Sequence, residues 1–205
     1  MERVKVYREK GMPVRDGRGL FAERLLEILP LLPVEEEGRL NDPRLRENFV
    51  ERVFAYRRLR DLFAKRWSRR DVVAFHTAHK LEVMAHSPKA YREMGRLVAA
   101  VKQVPRADFA RRYGEAFMTA LRQRATPGRN ANVLQHMAGY LREHLDGASR
   151  AELSELIHDY REGLSPLVVP LTLIRHHARR ADVDYLLGQV YLNPHPKELM
   201  LRNHV

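Results

Sequence analysis

Cysteine is absent from all 205 residues. For this chain by itself, that excludes disulfides, thiolate catalysis, iron–sulfur ligation and zinc-finger chemistry. Long apolar runs are missing as well. No stretch is apolar enough to span a bilayer, and the start, MERVKVYREKG, lacks the apolar segment of a secretory signal. No membrane partner is expected, and a cytoplasmic location is. Alternating strand-type patterning is nearly absent, and acidic residues are in deficit, with 26 Asp plus Glu against 37 Lys plus Arg.

The resulting formal charge of +11 attracts anionic partners at long range. Arginine is concentrated in YRRLRDLFAKRWSRR, where Arg57, Arg58, Arg60, Lys65, Arg66, Arg69 and Arg70 face only Asp61. A second group, RHHARR, sets Arg175, Arg179 and Arg180 beside His176 and His177. Guanidinium forks match phosphate and stack on bases, yet arginine also serves as plain solvated helix surface. Charge alone therefore leaves nucleic acid, a small anionic ligand and an unremarkable basic surface open.

What is present in quantity is helix signal. RVKVY reads as a short strand, GLFAERLLEILP as a few helical turns ended by Pro30, and LPVEEEGRLNDP as an ordered loop with solvated carboxylates. Asn41 or Asp42 can cap a helix with Pro43 in its first turn. Ser68 and Asp71 approximate a capping box for a helix to about Ala85, and Ser87-Pro88 starts the next, through about Val101. A helix follows over about 107–124, then one capped by Asn130 that reaches Leu145. Ser149 with Glu152 forms an S-x-x-E box for the next, and short helices follow over 170–179 and 183–191. The expected fold is all-α: a compact multi-helix domain of about seven helices with a mixed, loop-rich N-terminal arm.

Three constellations carry polar chemistry. In FHTAHKLEVMAHSP, His76, His79 and Lys80 share one helix side with Val72 and Val83, and His86 stands at the helix end. Imidazole at such a place suits a metal, acid–base chemistry or plain hydrogen bonding. The neighbouring lysine repels a divalent ion and favours a phosphate or carboxylate, so no metal and no cofactor is expected. In GRNANVLQHMAGYL, Asn132, His136 and Tyr140 are spaced by four, Arg129 precedes the helix start, and Ala138-Gly139 suggests a close helix approach. In SPLVVPLTLIRHH, Arg175 leaves an apolar run framed by prolines. The predicted ligand-binding set is His76, His79, Lys80, His86, Arg129, Asn132, His136, Tyr140 and Arg175.

Five segments in order, FHTAHK, MAHSPKAYREMGRLVA, NVLQHMAGYL, SPLVVPLTLIRHH and YLNPHP, resemble the bacterial YbgA-type domain over about residues 60–195. That family is helical and of unknown function. Its motif positions carry over to His76, His79, Lys80, His86, Asn132, His136 and Tyr140. The preceding ERVKVYREKG, GLFAERLLE and LPVEEEGRLNDPRLRENFVERVFAY resemble the C-terminal part of a thiouracil-desulfidase-like domain, in which cysteines hold an iron–sulfur cluster. The resemblance implies a remnant of that domain over 1–58, ending in a long helix, and a YbgA-like helical domain over 59–205. Without cysteine, this chain cannot be an iron–sulfur desulfidase by itself, although Glu37, Arg39 and Asp42 match that family's acidic segment.

The expected role is an accessory module that binds a nucleotide, a modified nucleobase or a nucleic-acid segment. It would sit beside a base-processing activity, with a cluster-bearing desulfidase-like protein as a further partner. Two alternatives stand beside it: an enzyme acting on a nucleobase-type substrate with His76 or His136 as base near Lys80, and a structural or oligomerisation scaffold.

Overall fold

The computed structural model describes residues 4–7, 13–17 and 19–203. Two antiparallel strands, β1 (Val4–Tyr7) and β2 (Pro13–Gly17), pair near the N-terminus; Arg3 of the expected strand lies outside the described residues. Nine α-helices follow among the described residues, rather than about seven: α1 (Leu20–Ile28), α2 (Pro43–Phe63), α3 (Arg69–His86), α4 (Pro88–Ala99), α5 (Arg106–Arg122), α6 (Pro127–Leu141), α7 (Gly147–Arg161), α8 (Val168–Arg180) and the single turn α9 (Asp184–Leu187). The all-helical class holds; α1 and α9, which the sequence reads as a few helical turns and a short helix, bring the count to nine. Short 3-10 turns lie at Glu37–Asn41, Arg142–His144, Val190–Leu192 and Lys197–Leu199.

Local chemistry sets the helix starts. Asp42 accepts from the backbone N–H groups of Arg44 and Leu45 ahead of Pro43, and Ser68 and Asp71 close a reciprocal capping box. Two expected caps are corrected. Thr126, not Asn130, caps α6, because Pro127 already suits the first helical position; Asn130 lies a turn inside and is buried. Asp146, not Ser149, caps α7, with its Oδ1 accepting from Ser149 N at 2.7 Å. That helix ends in a Schellman arrangement: Leu164 N–H reaches Asp159 O and Gly163 N–H reaches Tyr160 O, with Gly163 at φ 78°.

Two apolar clusters form the interior. One gathers Ala55, Leu59, Trp67, Phe109, Tyr113 and Phe117 from α2, α5 and the connection that precedes α3. The other gathers Leu134, Met137, Leu141, Ile157, Leu171 and Ile174 from α6, α7 and α8. Helix α3 joins them: Val72 and Val83 belong to the first, Leu81 and Met84 to the second, and every residue from Leu81 to Ser87 is buried. The boundary expected at residues 58 and 59 falls inside the continuous α2. The N-terminal arm leans on this body through Leu31, which lies 3.2 Å from where a Gly114 Cβ would stand, and through Arg122, which donates to Pro30 O at 3.1 Å.

Gly139 departs from its expected packing role. A Cβ built there meets nothing within 4 Å. Its cost of about 1 kcal/mol relative to alanine within a helix is therefore not repaid by helix contact.

The cap assignment for α7 is testable by urea denaturation. Asp146→Ala should destabilise the protein by about 1 kcal/mol, whereas Ser149→Ala should stay within about 0.5 kcal/mol. The reverse order would restore Ser149 as the cap.

Candidate functional site

A cleft of about 500 Å³ opens where α2, α6, α7 and the C-terminal segment meet the end of α3. Its floor is charged and buried. Arg202 donates from Nη2 to Glu51 Oε1 at 2.6 Å, from Nε to Glu47 Oε1 at 3.1 Å and from Nη1 to Tyr191 O at 2.6 Å. Its guanidinium also lies 5.1 Å from the centre of the Tyr191 ring. The other Glu51 oxygen is 3.4 Å from His86 Nε2, while His86 Nδ1 donates to Gln123 O at 2.5 Å. Beside this group, Tyr191 donates to Asn130 Oδ1 at 2.9 Å and Asn130 Nδ2 donates to Tyr160 Oη at 2.8 Å. Arg44, Arg124 and Arg129 line the cleft with Thr126 and Pro127 of the α6 start.

The partners set the protonation states. Both ring nitrogens of His86 face acceptors, a carbonyl and a carboxylate, which calls for a proton on each nitrogen. Burial opposes that charge, but the hydrogen bond and charge of Glu51 outweigh it and raise the His86 pKa. Burial likewise opposes ionised Glu51, yet Arg202 and His86 hold its carboxyl down to about 2. The remaining carboxyls then feel that fixed negative charge. Burial and Glu51 push Glu47 up to about 7 against the pull of Arg202. The same two causes push Glu82 up to about 7. Both Glu82 oxygens are buried without a hydrogen-bond partner, which costs free energy in either protonation state and far more for the charged one, so the neutral form is favoured.

This set includes a donor combination of metal-ligand type. Oxygens of Glu47 and Glu51 and a ring nitrogen of His195 lie within 4.8 Å of one another. His195 Nδ1 donates to Pro196 O at 3.0 Å, which leaves Nε2 as the bare nitrogen. Arg202 already supplies a cation to both carboxylates, so a divalent ion would meet a fixed positive charge next to its ligands.

The predicted ligand-binding residues occupy several environments rather than one. His86 and Arg129 line the cleft, where Arg129 also donates to His86 O at 2.7 Å. His76 and His79 turn to the aromatic core: His76 Nδ1 is 3.2 Å from Tyr113 Oη, and His79 donates to Phe75 O at 2.7 Å while stacking on the Phe75 ring at 3.9 Å. Burial pushes His79 down to about 4, so it is neutral at pH 7. Lys80 sits 4.7 Å above the Tyr185 ring, and the Tyr140 ring lies 4.6 Å from the same ring. Asn132, His136 and Tyr140 form an exposed stripe on α6. Arg175 donates to Asn193 at 2.8 Å and lines a shallow groove with His176, Arg179 and Arg180.

Sequence reasoning missed Glu47, Glu51, Glu82, Tyr191 and Arg202. One signal was available: Glu82 interrupts the apolar run of LEVMAH, and Glu51 shares the inward stripe of α2 with Asn48, Ala55 and Leu59. A carboxylate on a core-facing position demands a partner. Nothing local in LMLRNH marks Arg202 as that partner.

Two stability measurements probe the cluster. Arg202→Gln leaves Glu51 ionised and buried without its cation and should cost about 3–5 kcal/mol in urea denaturation. An effect under about 1 kcal/mol would deny that the pair anchors the fold. The second probe is Glu82→Gln. Because the folded Glu82 pKa lies above the ordinary 4.5, the folded state binds more protons, and stability falls as pH rises from 4.5 to about 7. The wild-type urea midpoint should drop between about pH 5 and about pH 8, and Glu82→Gln should flatten that drop. An equally steep drop in the variant would place the titrating group elsewhere.

The described residues contain no helix long and apolar enough to cross a membrane. A family model described as "Protein of unknown function (DUF1722)" matches residues 80–196. This window includes Glu82, His86, Asn130, Tyr160, Tyr191 and His195 and stops short of Arg202. The chain is also 33% identical over 165 residues to the "Uncharacterized protein YbgA" of Escherichia coli (strain K12), an alignment covering 80% of this chain and 98% of that protein. No solved structure matches. Together, the family model and the near full-length relative show that this helical chain belongs to the DUF1722, or YbgA-like, family.

Proposed function

We propose that the chain is a helical accessory module that binds a single-stranded segment of nucleic acid. The observation that carries this reading is the outer face of α6. Arg129, Asn132, His136 and Tyr140 fall within one arc of that helix, and no Asp or Glu occurs anywhere along it. From Arg129 to Tyr140 the helix rises about 16 Å, a span suited to a few nucleotides. One end of the arc is the basic lining of the cleft, with Arg124 and Arg129 beside the N-terminus of α6, where backbone N–H groups and the helix dipole favour phosphate. The other end is Tyr140, 47% exposed and leaning on Tyr185 with Lys80 above it. An aromatic platform beside a cation is what an unstacked base requires.

The formal charge of +11 and the arginines of α8 add long-range attraction. The resemblance of residues 1–58 to a desulfidase-type domain supports a base-processing activity as the neighbour of this module. A cluster-bearing desulfidase-like protein is the corresponding partner.

A second reading, an enzyme on a nucleobase-type substrate, is favoured by Glu47. That carboxyl lines the cleft and is held up to about 7, the range suited to proton transfer at neutral pH. In this reading Glu47 takes the role that the sequence suggested for His76 or His136 with Lys80.

Fluorescence anisotropy with short RNA and DNA strands tests the binding reading. Affinity should fall steeply between about 50 and 200 mM salt, and Arg124→Gln should reduce the salt slope by about one contact. Tyr140→Ala should weaken binding about 5- to 100-fold through loss of stacking, with Tyr140→Phe close to wild type. Binding that is absent, or indifferent to both salt and Tyr140, would overturn the reading. Turnover of nucleosides or nucleotides that is lost in Glu47→Gln would favour the enzyme instead.

A further inference from the structure

A second recess, of about 250 Å³, runs between α6 and α7, on the arc of α6 next to the outer face described above. Its lining is mostly apolar, with Ala138, Leu145, Leu153 and Ile157 below and the guanidinium-bearing Arg142 and Arg150 among the residues around it. Gly139 belongs to this wall. Glycine in a helix interior calls for a reason, either a positive φ or a close neighbour. Gly139 has neither: it is not among the positive-φ residues, and a Cβ placed on it meets nothing within 4 Å. What a side chain there would occupy is the recess itself.

The rim carries charge to match an occupant. Arg142 and Arg150 are exposed, and neither makes an ion pair or a side-chain hydrogen bond among the described residues. Asp146 feels the Arg150 charge, but its Oδ1 accepts from the N–H of Ser149 as the α7 cap. An apolar floor kept open by a glycine, with two guanidinium groups at its edge, selects a molecule that is apolar at one end and anionic at the other. A planar carboxylate suits guanidinium forks by bidentate hydrogen bonding. The volume lies just below the roughly 300–1,000 Å³ of drug-sized pockets, which selects a compact ligand.

We propose that this recess is a binding site for a compact amphipathic carboxylate, with its apolar body against Ala138, Gly139, Leu153 and Ile157 and its charge between Arg142 and Arg150. The site is separate from the nucleic-acid reading and does not depend on it. The occupant is a small molecule rather than a protein segment.

Octanoate serves as the probe and octanol as its uncharged counterpart, each titrated into the full chain by calorimetry or NMR. Octanoate should bind saturably and octanol at least about tenfold more weakly, since octanol lacks the charge-assisted hydrogen bonds. Gly139→Leu should abolish octanoate binding while the melting temperature holds or rises, because leucine is the better helix former. Gly139→Ala is the milder second variant and should weaken octanoate several-fold. The double variant Arg142→Gln with Arg150→Gln should bring octanoate down to the level of octanol. The proposal is overturned if wild-type protein shows no saturable octanoate binding, if octanol binds as well as octanoate, or if a folded Gly139→Leu binds octanoate as wild type does.

Discussion

The ion pair between Arg202 and Glu51 is the contact on which the arrangement of this molecule depends. Taking either charge out of water alone would cost several kcal/mol, so the two must be buried together or not at all. Glu51 is on α2 and Arg202 is near the end of the chain, 151 residues away. Their pairing therefore fixes the C-terminal segment against the first long helix. Tyr191 comes with that segment and completes the hydrogen-bond path through Asn130 to Tyr160. In this way α2, α6, α7 and the C-terminal segment are tied at one point, in the seam between the two apolar clusters that α3 also joins.

The same pair governs the acid–base character of the interior. One carboxylate held ionised by Arg202 and His86 makes a second and third carboxylate nearby less favourable, and Glu47 and Glu82 are pushed up to about 7. This is the general behaviour of carboxyls that share a site. Its consequence differs with position. Glu82 is sealed and bears on stability, whereas Glu47 lines the cleft and can meet a ligand.

Helix α6 organises the surface features. Its start lines the cleft, its outer arc carries the stripe from Arg129 to Tyr140, and its next arc forms one wall of the recess at Gly139. A helix presents such different surfaces because successive residues are turned by about 100 degrees. Side chains one position apart, such as Gly139 and Tyr140, can thus serve unrelated neighbours.

Much of the fold was legible in the sequence because helix starts and apolar stripes are local. Asp42 before Pro43, the Ser68 and Asp71 pair, and Ser87 before Pro88 each act within one turn, and the structure uses all three. Residue type does not separate Thr126 from Asn130 or Asp146 from Ser149 as caps; the choice turns on where the helical backbone begins and which N–H each side chain meets. The site was less legible. His86 and Arg129 were marked, but spacing on α3 could not say that His79 would stack on Phe75 while His86, on the same helix, would meet Glu51. The sequence by itself determined a basic, cysteine-free, helical chain with most of its helix starts. Tertiary structure alone decided which charges are buried and paired, because the partner of Glu51 lies at the far end of the chain and only the folded topology brings the two out of water together.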